Sequence, residues 1–504
     1  MIRTSTTSQP DTTRGNAATV AASASASLRQ GIWMMSLGMG ARHSRARPAL
    51  LTCGRNACQR AARRHGVRAV ALVAAALLLA AGLSTAVRAE PARAGAPRSG
   101  PAVRVAPSPA AARTPDRLRV LFLRAAFPDQ PATRPTSDFH NASRSGLIDR
   151  LVSYWDEVSA RRFQIDPIVS DRVYTLPKRR GQYVSQPGIM IRDTLALASR
   201  AAPDGEKALV DGSRADVVVV TFAGPGAESD IRKQATGLPW SNAVEGPGFA
   251  SVGDKKIDRG LIVAEDPFAP LAPFGVMAHE LGHVLGLPEL YAPNMPHEGI
   301  GIWGLMGQGT WVGRGDVPPH PEAWSKLTLG WVDALVVDRT QTVTLPAVTR
   351  SAQVVKIYAK GPHEPWEYFL IENREQKGAD RRIPGPGLLI WHVDERLTSY
   401  RRSQDDASHK RVDLLTADSW PSHLDLGHAN GGNRGDAGDP WADRKAGPGP
   451  DTRPSTAAYD GTRGRFAIRN ISPAGEVMTF DVVFGDDPVP KTGGTGRAAP
   501  RASR

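Results

Sequence analysis

The stretch His279-Glu280-Leu281-Gly282-His283 constrains this chain more than any other, because it specifies a helix and a metal site together. Apolar residues recur at helical spacing from Phe274 to Leu285, and this pattern predicts a helix over that range. Residues four apart share a helical face, so His279 and His283 can bind one cation. Two imidazoles suit Zn²⁺, and Glu280 is placed to act as general base on water activated by the metal. The alternative is a surface helix that matches the pattern by chance.

The residues after His283 favour the metal site over that alternative. Gly286 stands where helices commonly end in a left-handed residue, and Pro288 prevents the helix from resuming. A chain that turns here can bring Glu289 back to the metal as third ligand. The spacing H-E-x-x-H-x-x-G-x-x-E is that of the metzincins, with a carboxylate in place of the third histidine.

A glycine-rich segment at 304–309 follows, with Met306 at its centre. At this distance behind a zinc motif, Met306 predicts a Met-turn beneath the metal site. The alternative is a methionine that only fills the core.

Several motifs in a fixed order carry a resemblance over about Val120 to Phe484. They are HELGHVLGLPELY (279–291), GIWGLMGQGTW (301–311), PEAWSKLTLGW (321–331), the upstream AFPD (126–129), YWDEVS (154–159) and GPGAES (224–229), and the downstream EYFLIENR (367–374) and GPGLLIWHVDE (385–395). The chain thereby resembles the secreted bacterial metallopeptidases of the immune inhibitor A type. The resemblance implies a zinc-dependent endopeptidase with His279, His283 and an acidic third ligand at the metal and Glu280 as catalyst. It departs from the family at Glu289, where Asp is usual, and at Gly307 and Gln308, where serines usually follow the methionine.

The order of apolar segments predicts an α+β fold in two parts. Residues 118–335 are predicted to form a metzincin-like zinc peptidase domain, and residues 336–485 a β-rich C-terminal domain. The predicted helices are 145–157, 193–202 and the zinc helix; the predicted strands are 118–123, 216–222, 260–263, 342–345, 354–358, 368–371, 388–391, 466–469 and 478–483.

The net charge of +13 suggests a nucleic-acid or membrane partner, but its distribution argues against one. Residues 1–89 contain twelve Lys or Arg and one acidic residue, Asp11, and therefore carry +11 of this charge. Only +2 remains for the rest of the chain. We therefore expect no nucleic-acid partner.

The same leader predicts export. Arg63, Arg64 and Arg68 precede an apolar run at 69–83, and Val87-Arg88-Ala89 offers small residues where a signal peptidase cleaves. The run is short for a membrane span, although a retained anchor is the alternative. The long stretch before it leaves the true start codon open.

The segments flanking the two predicted domains have biased compositions. Residues 90–117 are predicted to form a linker or short propeptide, and residues 486–504 a disordered tail. Both cysteines, Cys53 and Cys58, precede the predicted cleavage point, so the mature chain needs no disulfide.

Two further features are candidates for chemistry. His320, between Pro319 and Pro321, is a candidate to stabilise the oxyanion, or else to cap a helix or face solvent. The loop 430–439 mixes oxygen side chains with glycines, as Ca²⁺ loops do, but lacks the fixed spacing of an EF-hand.

The leading hypothesis is a secreted zinc metalloendopeptidase that hydrolyses proteins or peptides. We expect an extracellular or periplasmic monomer without a stable membrane anchor. The alternative is a secreted binding or adhesion protein on a metallopeptidase fold. Inactive relatives usually lose the Glu or a His of the motif, and this chain retains all three, which favours the enzyme.

Overall fold

The computed structural model describes residues 115–201, 215–229, 237–252, 255–265, 273–292, 296–400, 402–427, 430–488 and 490. The predicted leader, both cysteines, nearly all of the predicted linker and residues 491–504 of the predicted tail lie outside the described residues.

The first sheet is mixed and has five strands in the order β2-β1-β3-β5-β4. Its strands are β1 (Arg117–Ala126), β2 (Gln164–Thr175), β3 (Val217–Phe222), β4 (Asn242–Val252) and β5 (Lys255–Ala264). The first three and β5 run parallel, whereas β4 pairs with β5 antiparallel at the edge. Every residue of β3 is buried, as expected for a central strand covered on both faces.

Helices α1 (Leu147–Val158), α2 (Pro187–Ala201) and α3 (Pro273–Val284) pack against this sheet, and a short fourth helix of the described chain, α4 (Ala323–Thr328), follows them. The prediction for α2 began six residues too late, because Pro187 starts the helix at a position where its missing N–H costs nothing. Helix α3, the predicted zinc helix, is buried at all twelve positions. In the part of the chain that the structure describes, no helix is long and apolar enough to span a membrane.

After α4 the described chain forms two further sheets. The first has the order β11-β10-β9-β8-β6 and the second the order β12-β13-β14-β7. Their strands are β6 (Asp333–Val336), β7 (Gln341–Pro346), β8 (Gln353–Tyr358), β9 (Glu367–Arg374), β10 (Gly387–Asp394), β11 (Val412–Leu414), β12 (Arg444–Ala446), β13 (Phe466–Ile471) and β14 (Val477–Phe484). Apolar side chains of both sheets share one core, which includes Leu345, Ile390 and Phe480.

A buried ionic network connects β9 to the segment that carries α4. Arg374, fully buried, pairs with Asp380 and Glu372 and donates to the carbonyl of Trp303. Glu372 also pairs with Lys326 of α4 at 3.0 Å. One apolar core, which includes Leu281, Leu370 and Trp391, also spans position 335. The domain boundary proposed there stays a prediction.

Candidate metal centre

The three predicted ligands meet at one point. His279 and His283 lie one turn apart on α3, with ring centroids 4.7 Å apart and planes nearly perpendicular. The Nε2 atom of His279 lies 3.3 Å from one carboxylate oxygen of Glu289, and that of His283 lies 3.3 Å from the other. Two donors that share a tetrahedral zinc at bonds of about 2.0–2.1 Å are themselves about 3.3–3.4 Å apart. The three side chains fit a zinc ion.

The hydrogen bonds of the other ring nitrogens fix the tautomer of each histidine. Nδ1 of His279 lies 3.0 Å from the carbonyl of Leu305, and Nδ1 of His283 lies 2.8 Å from the carbonyl of Leu287. A carbonyl oxygen only accepts, so each Nδ1 carries the proton. In the neutral form of each ring, which is the form that binds metals, Nε2 therefore turns a lone pair toward Glu289, whose acceptor oxygens cannot satisfy it. A cation between these atoms resolves that conflict, and such outer contacts commonly orient metal-binding histidines.

The chain reverses its direction at the end of α3, and this reversal places Glu289 next to the two histidines. Gly286 adopts the predicted left-handed conformation, with φ of 93°. Its N–H bonds to the carbonyl of His283, and the N–H of Leu287 bonds to the carbonyl of Gly282, which together form a Schellman motif. The carbonyl of Leu287, turned back by this motif, is the group that orients His283. The end of the helix thus positions both the predicted third ligand, Glu289, and the carbonyl that holds the Nδ1 proton of His283.

Met306 lies directly beneath the zinc helix. Its side chain is fully buried, and a Cβ atom built at Gly282 would lie only 2.5 Å from its sulfur. Gly282, between the two histidines, is therefore the position at which the methionine can approach the helix. The carbonyl of Met306 also accepts from the N–H of Leu290, next to Glu289. The turn around Met306 supports both histidines and the segment of the third ligand.

Glu280 faces the edge of the first sheet. One of its carboxylate oxygens, Oε2, accepts from the N–H of Ala243 in β4 at 2.8 Å. Burial raises the pKa of its carboxyl to about 8, and the charge of Glu289 adds to this rise. For Glu289, burial acts in the same direction, but the positive charges that His283 and His279 carry when protonated outweigh it and hold its pKa well below the usual range. The two carboxylates beside the histidines therefore differ in how firmly they hold a proton.

The GPGAES segment supports the beginning of β4. Glu228 is buried, and its carboxylate accepts from the backbone N–H and from the hydroxyl of Ser241. The hydroxyl of Ser241 in turn accepts from the N–H of Ala264 at the end of β5. These contacts hold the chain two residues before Ala243, which contacts Glu280.

Two further side chains contact the predicted histidine ligands, and neither was predicted from the sequence. The hydroxyl of Thr310 lies 3.0 Å from Nδ1 of His279 and donates to the carbonyl of Leu305. The hydroxyl of Tyr400 lies 2.9 Å from Nδ1 of His283 and donates to the carbonyl of Leu287. Thr310 lies within the motif GIWGLMGQGTW, but the motif does not indicate its contact with His279, and no quoted motif includes Tyr400. Tyr400 comes from the region after β10.

His320 lies in different surroundings. It is almost fully buried, its backbone N–H donates to Asp380, and its Nε2 atom lies 3.5 Å from Glu157 of α1. None of its contacts with described residues reaches His279, His283 or Glu289. Its catalytic role stays a prediction that these contacts do not favour.

The loop 430–439, predicted to bind Ca²⁺, is held together by its own side chains. Asn433 donates to Asp436, and the carboxylate of Asp436 also accepts from the N–H of Gly438. Asp439 is fully buried and accepts from the indole of Trp303. Calcium binding stays a prediction.

A comparison with known families covers the region that contains His279, His283 and Glu289. Residues 241–332 match the immune inhibitor A peptidase M6, catalytic domain. The matched range contains β4, β5, the zinc helix, Glu289 and Met306, and the match confirms the resemblance that the motifs indicated. It supports a metallopeptidase, for which proteins or peptides are the substrates. A search of curated proteins gives no match.

Proposed function

We propose that this chain, whose residues 241–332 match the catalytic domain of immune inhibitor A peptidases, is a zinc-dependent endopeptidase. The observation that carries the proposal is the convergence of two Nε2 lone pairs and the Glu289 carboxylate at 3.3 Å. His279, His283 and Glu289 would hold the zinc. When bound, zinc polarises the scissile carbonyl and lowers the pKa of water.

Glu280 is proposed as the general base. Its Oε2 atom is engaged by the N–H of Ala243, so Oε1 is the oxygen available to take a proton from water. The same oxygen would then pass that proton to the leaving amine. Burial, which raises the pKa of this carboxyl, favours a group that holds the proton between the two steps.

Strand β4 is proposed to hold the substrate. It is the edge strand of its sheet, and the N–H of Ala243 points away from β5 toward Glu280. An extended peptide that pairs with this edge would pass directly in front of the general base. The arrangement is consistent with a metzincin-like peptidase domain, and we propose that residues 336–485 form a β-rich domain packed on it.

The test of this function is Glu280→Gln in the purified chain. The amide keeps the size of the side chain but cannot accept the proton, so we expect turnover of a protein substrate to fall by about 10²–10⁴-fold. Zinc content should not change. Glu364→Gln, at an exposed glutamate, is the matched control. Activity of Glu280→Gln within about tenfold of the original chain would refute the assignment of the base.

The alternative, a binding protein on this fold, predicts a different result. It requires that the unmodified chain, fully loaded with zinc, cleaves no member of a peptide library. The retention of Glu280 and both histidines favours the enzyme.

We also propose that the chain is exported. The support is the sequence of residues 63–89, with basic residues, an apolar run and small residues in the order of a signal peptide. N-terminal sequencing of the protein collected outside the cell tests this proposal. A mature protein that still begins upstream of Cys53 would contradict it.

A further inference from the structure

A second cluster of metal-binding side chains lies in the region after β11 and shares no residue with the first. Asp418, His423 and Asp436 place one ligand atom each within 4.8 Å of the others. Nε2 of His423 lies 3.5 Å from the carboxylate of Asp418 and 3.9 Å from that of Asp436. These separations exceed the length of a good hydrogen bond but suit donors that share a metal.

The charges around the cluster are not balanced by protein cations. Neither Asp418 nor Asp436 pairs with a lysine or arginine among the described residues, and neither does Asp439, which is fully buried beside them. One oxygen of Asp439, Oδ1, has no hydrogen-bond partner in the described part of the chain. A bound cation would compensate this concentration of negative charge.

The backbone holds the cluster in place before any ligand is added. A Cβ atom at Gly438 would lie 2.2 Å from the carboxylate of Asp418, so only glycine lets that carboxylate approach the loop. Asp436 is fixed by the N–H of Gly438 and by Asn433. His423 begins a short 3₁₀ turn that is capped by the hydroxyl of Ser422.

The combination of one imidazole with two carboxylates indicates which kind of metal ion the cluster would bind. Ca²⁺ and Mg²⁺ take oxygen ligands, whereas an imidazole beside carboxylates suits a first-row transition metal such as Zn²⁺. We propose that Asp418, His423 and Asp436 bind a second divalent transition-metal ion, with Zn²⁺ as the ion to test. This modifies the calcium prediction for the loop 430–439, since the ligand that the loop supplies faces a histidine.

The position of the cluster indicates a structural role for this ion. Asp439 accepts from the indole of Trp303, and the carbonyl of Arg434 accepts from the N–H of Ile302. Both contacts lead to the segment immediately before Met306. A metal that fixes Asp436 would therefore stiffen the loop on which the Met-turn rests.

Metal analysis of the purified full chain, equilibrated with Zn²⁺ and freed of excess, tests the proposal. We expect two equivalents of zinc. His423→Ala and Asp436→Asn should each retain only the zinc bound at His279 and His283. His283→Ala should retain only the zinc bound at the second cluster. His363→Ala, at an exposed histidine outside both clusters, should keep two. Each variant removes a ligand of only one site. A result that refutes the second site therefore does not bear on the proposed catalytic site, and a result that refutes the catalytic site does not bear on the second one.

Two outcomes would overturn the proposal. One is a folded His423→Ala protein that retains two equivalents of zinc. The other is binding of Ca²⁺ with equal affinity in the original chain and in His423→Ala, which would show an oxygen-only calcium loop. If the variants do not fold, crystals of the original chain with Zn²⁺ decide the matter by anomalous scattering at the zinc edge. A peak between Asp418 and His423 supports the site, and its absence refutes it.

Discussion

At the scale of single residues, the predicted third ligand is the position where this chain departs from the family that it resembles. Glu289 is one methylene longer than Asp, yet both of its oxygens reach the histidines at 3.3 Å. The backbone after Gly286 is therefore placed for the longer side chain. Asp316, another acidic residue that follows the predicted Met-turn, instead pairs with Arg150 at 2.7 Å and is half-exposed.

Glu289→Ala should therefore lower zinc occupancy, because two imidazoles alone bind the ion weakly. Glu289→Asp should retain more zinc than the alanine variant and less than the original chain, since its carboxylate falls short of the histidines. Metal analysis after dialysis measures both, and Asp316→Asn serves as the control that should lose none. A full equivalent of zinc in Glu289→Ala would place the third ligand elsewhere.

Tyr400 provides a second prediction at this scale. Its hydroxyl contacts both His283 and the carbonyl that orients His283. Removing such an outer partner typically weakens metal binding about 10–100-fold, and we expect Tyr400→Phe near the lower end because the carbonyl of Leu287 remains. Competition with a chromogenic chelator measures the zinc affinity, with Tyr358→Phe as the matched control. Equal zinc affinity in Tyr400→Phe and the original chain would show that the phenol only covers the site.

The sequence points to the three candidate ligands more readily than to the side chains that contact them. His279, His283 and Glu289 lie within eleven residues, so helical periodicity and one turn are enough to bring them together. Thr310 and Tyr400 lie 31 and 117 positions from the histidines they contact. Tertiary packing alone places them, and no local pattern records it.

At the scale of elements, the zinc helix is specified by how it ends and by what lies beneath it. A helix interior normally disfavours glycine by about 1 kcal/mol relative to alanine. Glycine is nevertheless required at position 282, because the sulfur of Met306 occupies the space that a Cβ would need.

Gly282→Ala should therefore lower the free energy of unfolding by about 1–2 kcal/mol, because overpacking a buried site outweighs the gain in helix propensity. It should also reduce zinc occupancy, since Met306 supports the helix between the two ligands. Gly188→Ala is the matched control: it lies in α2, and its nearest neighbour to an added Cβ is 3.7 Å away. In this control, the free energy of unfolding should be unchanged or higher, and the zinc content should be unchanged. Urea unfolding with metal analysis distinguishes the two, and a Gly282→Ala protein of full stability and zinc content would contradict the role of Met306.

The strands show where prediction at this scale succeeds. Strand β3 is an unbroken run of apolar residues and β-branched threonine, and its buried position follows from that pattern. Strands β2 and β4 were missed because edge strands carry polar residues, and β4 includes Gly246, Pro247 and Gly248. The strand that contacts Glu280 was thus the one whose sequence least resembles a strand.

At the scale of the whole molecule, the EYFLIENR motif connects the sheets that follow α4 to the peptidase region. Glu372 and Arg374 of β9 are fully buried, and their partners include Lys326 of α4 and the carbonyl of Trp303. This motif lies outside the candidate metal site, and its side chains contact both ends of the segment that runs from Trp303 through Met306 to Lys326. The sequence marked the motif only through its resemblance, since a buried ion network has no periodicity of its own.

This network should make stability depend on acid pH. Burial would raise the pKa of Asp380, but the Arg374 guanidinium outweighs it and holds that pKa at about 2, below the unfolded value. A depressed pKa contributes stability above the unfolded pKa, and the contribution is lost as pH falls through the folded one. For Asp380 the loss begins below about pH 4 and is complete below about pH 2, with on the order of 1 kcal/mol already lost by pH 3.

Asp380→Asn tests this directly. At pH 7 it should lower the free energy of unfolding by about 3–5 kcal/mol, because it leaves the buried Arg374 without its closest partner. Its deficit relative to the original chain should shrink between pH 5 and pH 3, since only the original chain loses the Asp380 contribution there. Urea unfolding at both pH values measures the difference, and Asp451→Asn, at an exposed ion pair with Arg463, should show neither effect. A deficit that stays constant with pH would mean that Asp380 acts through packing and not through its charge.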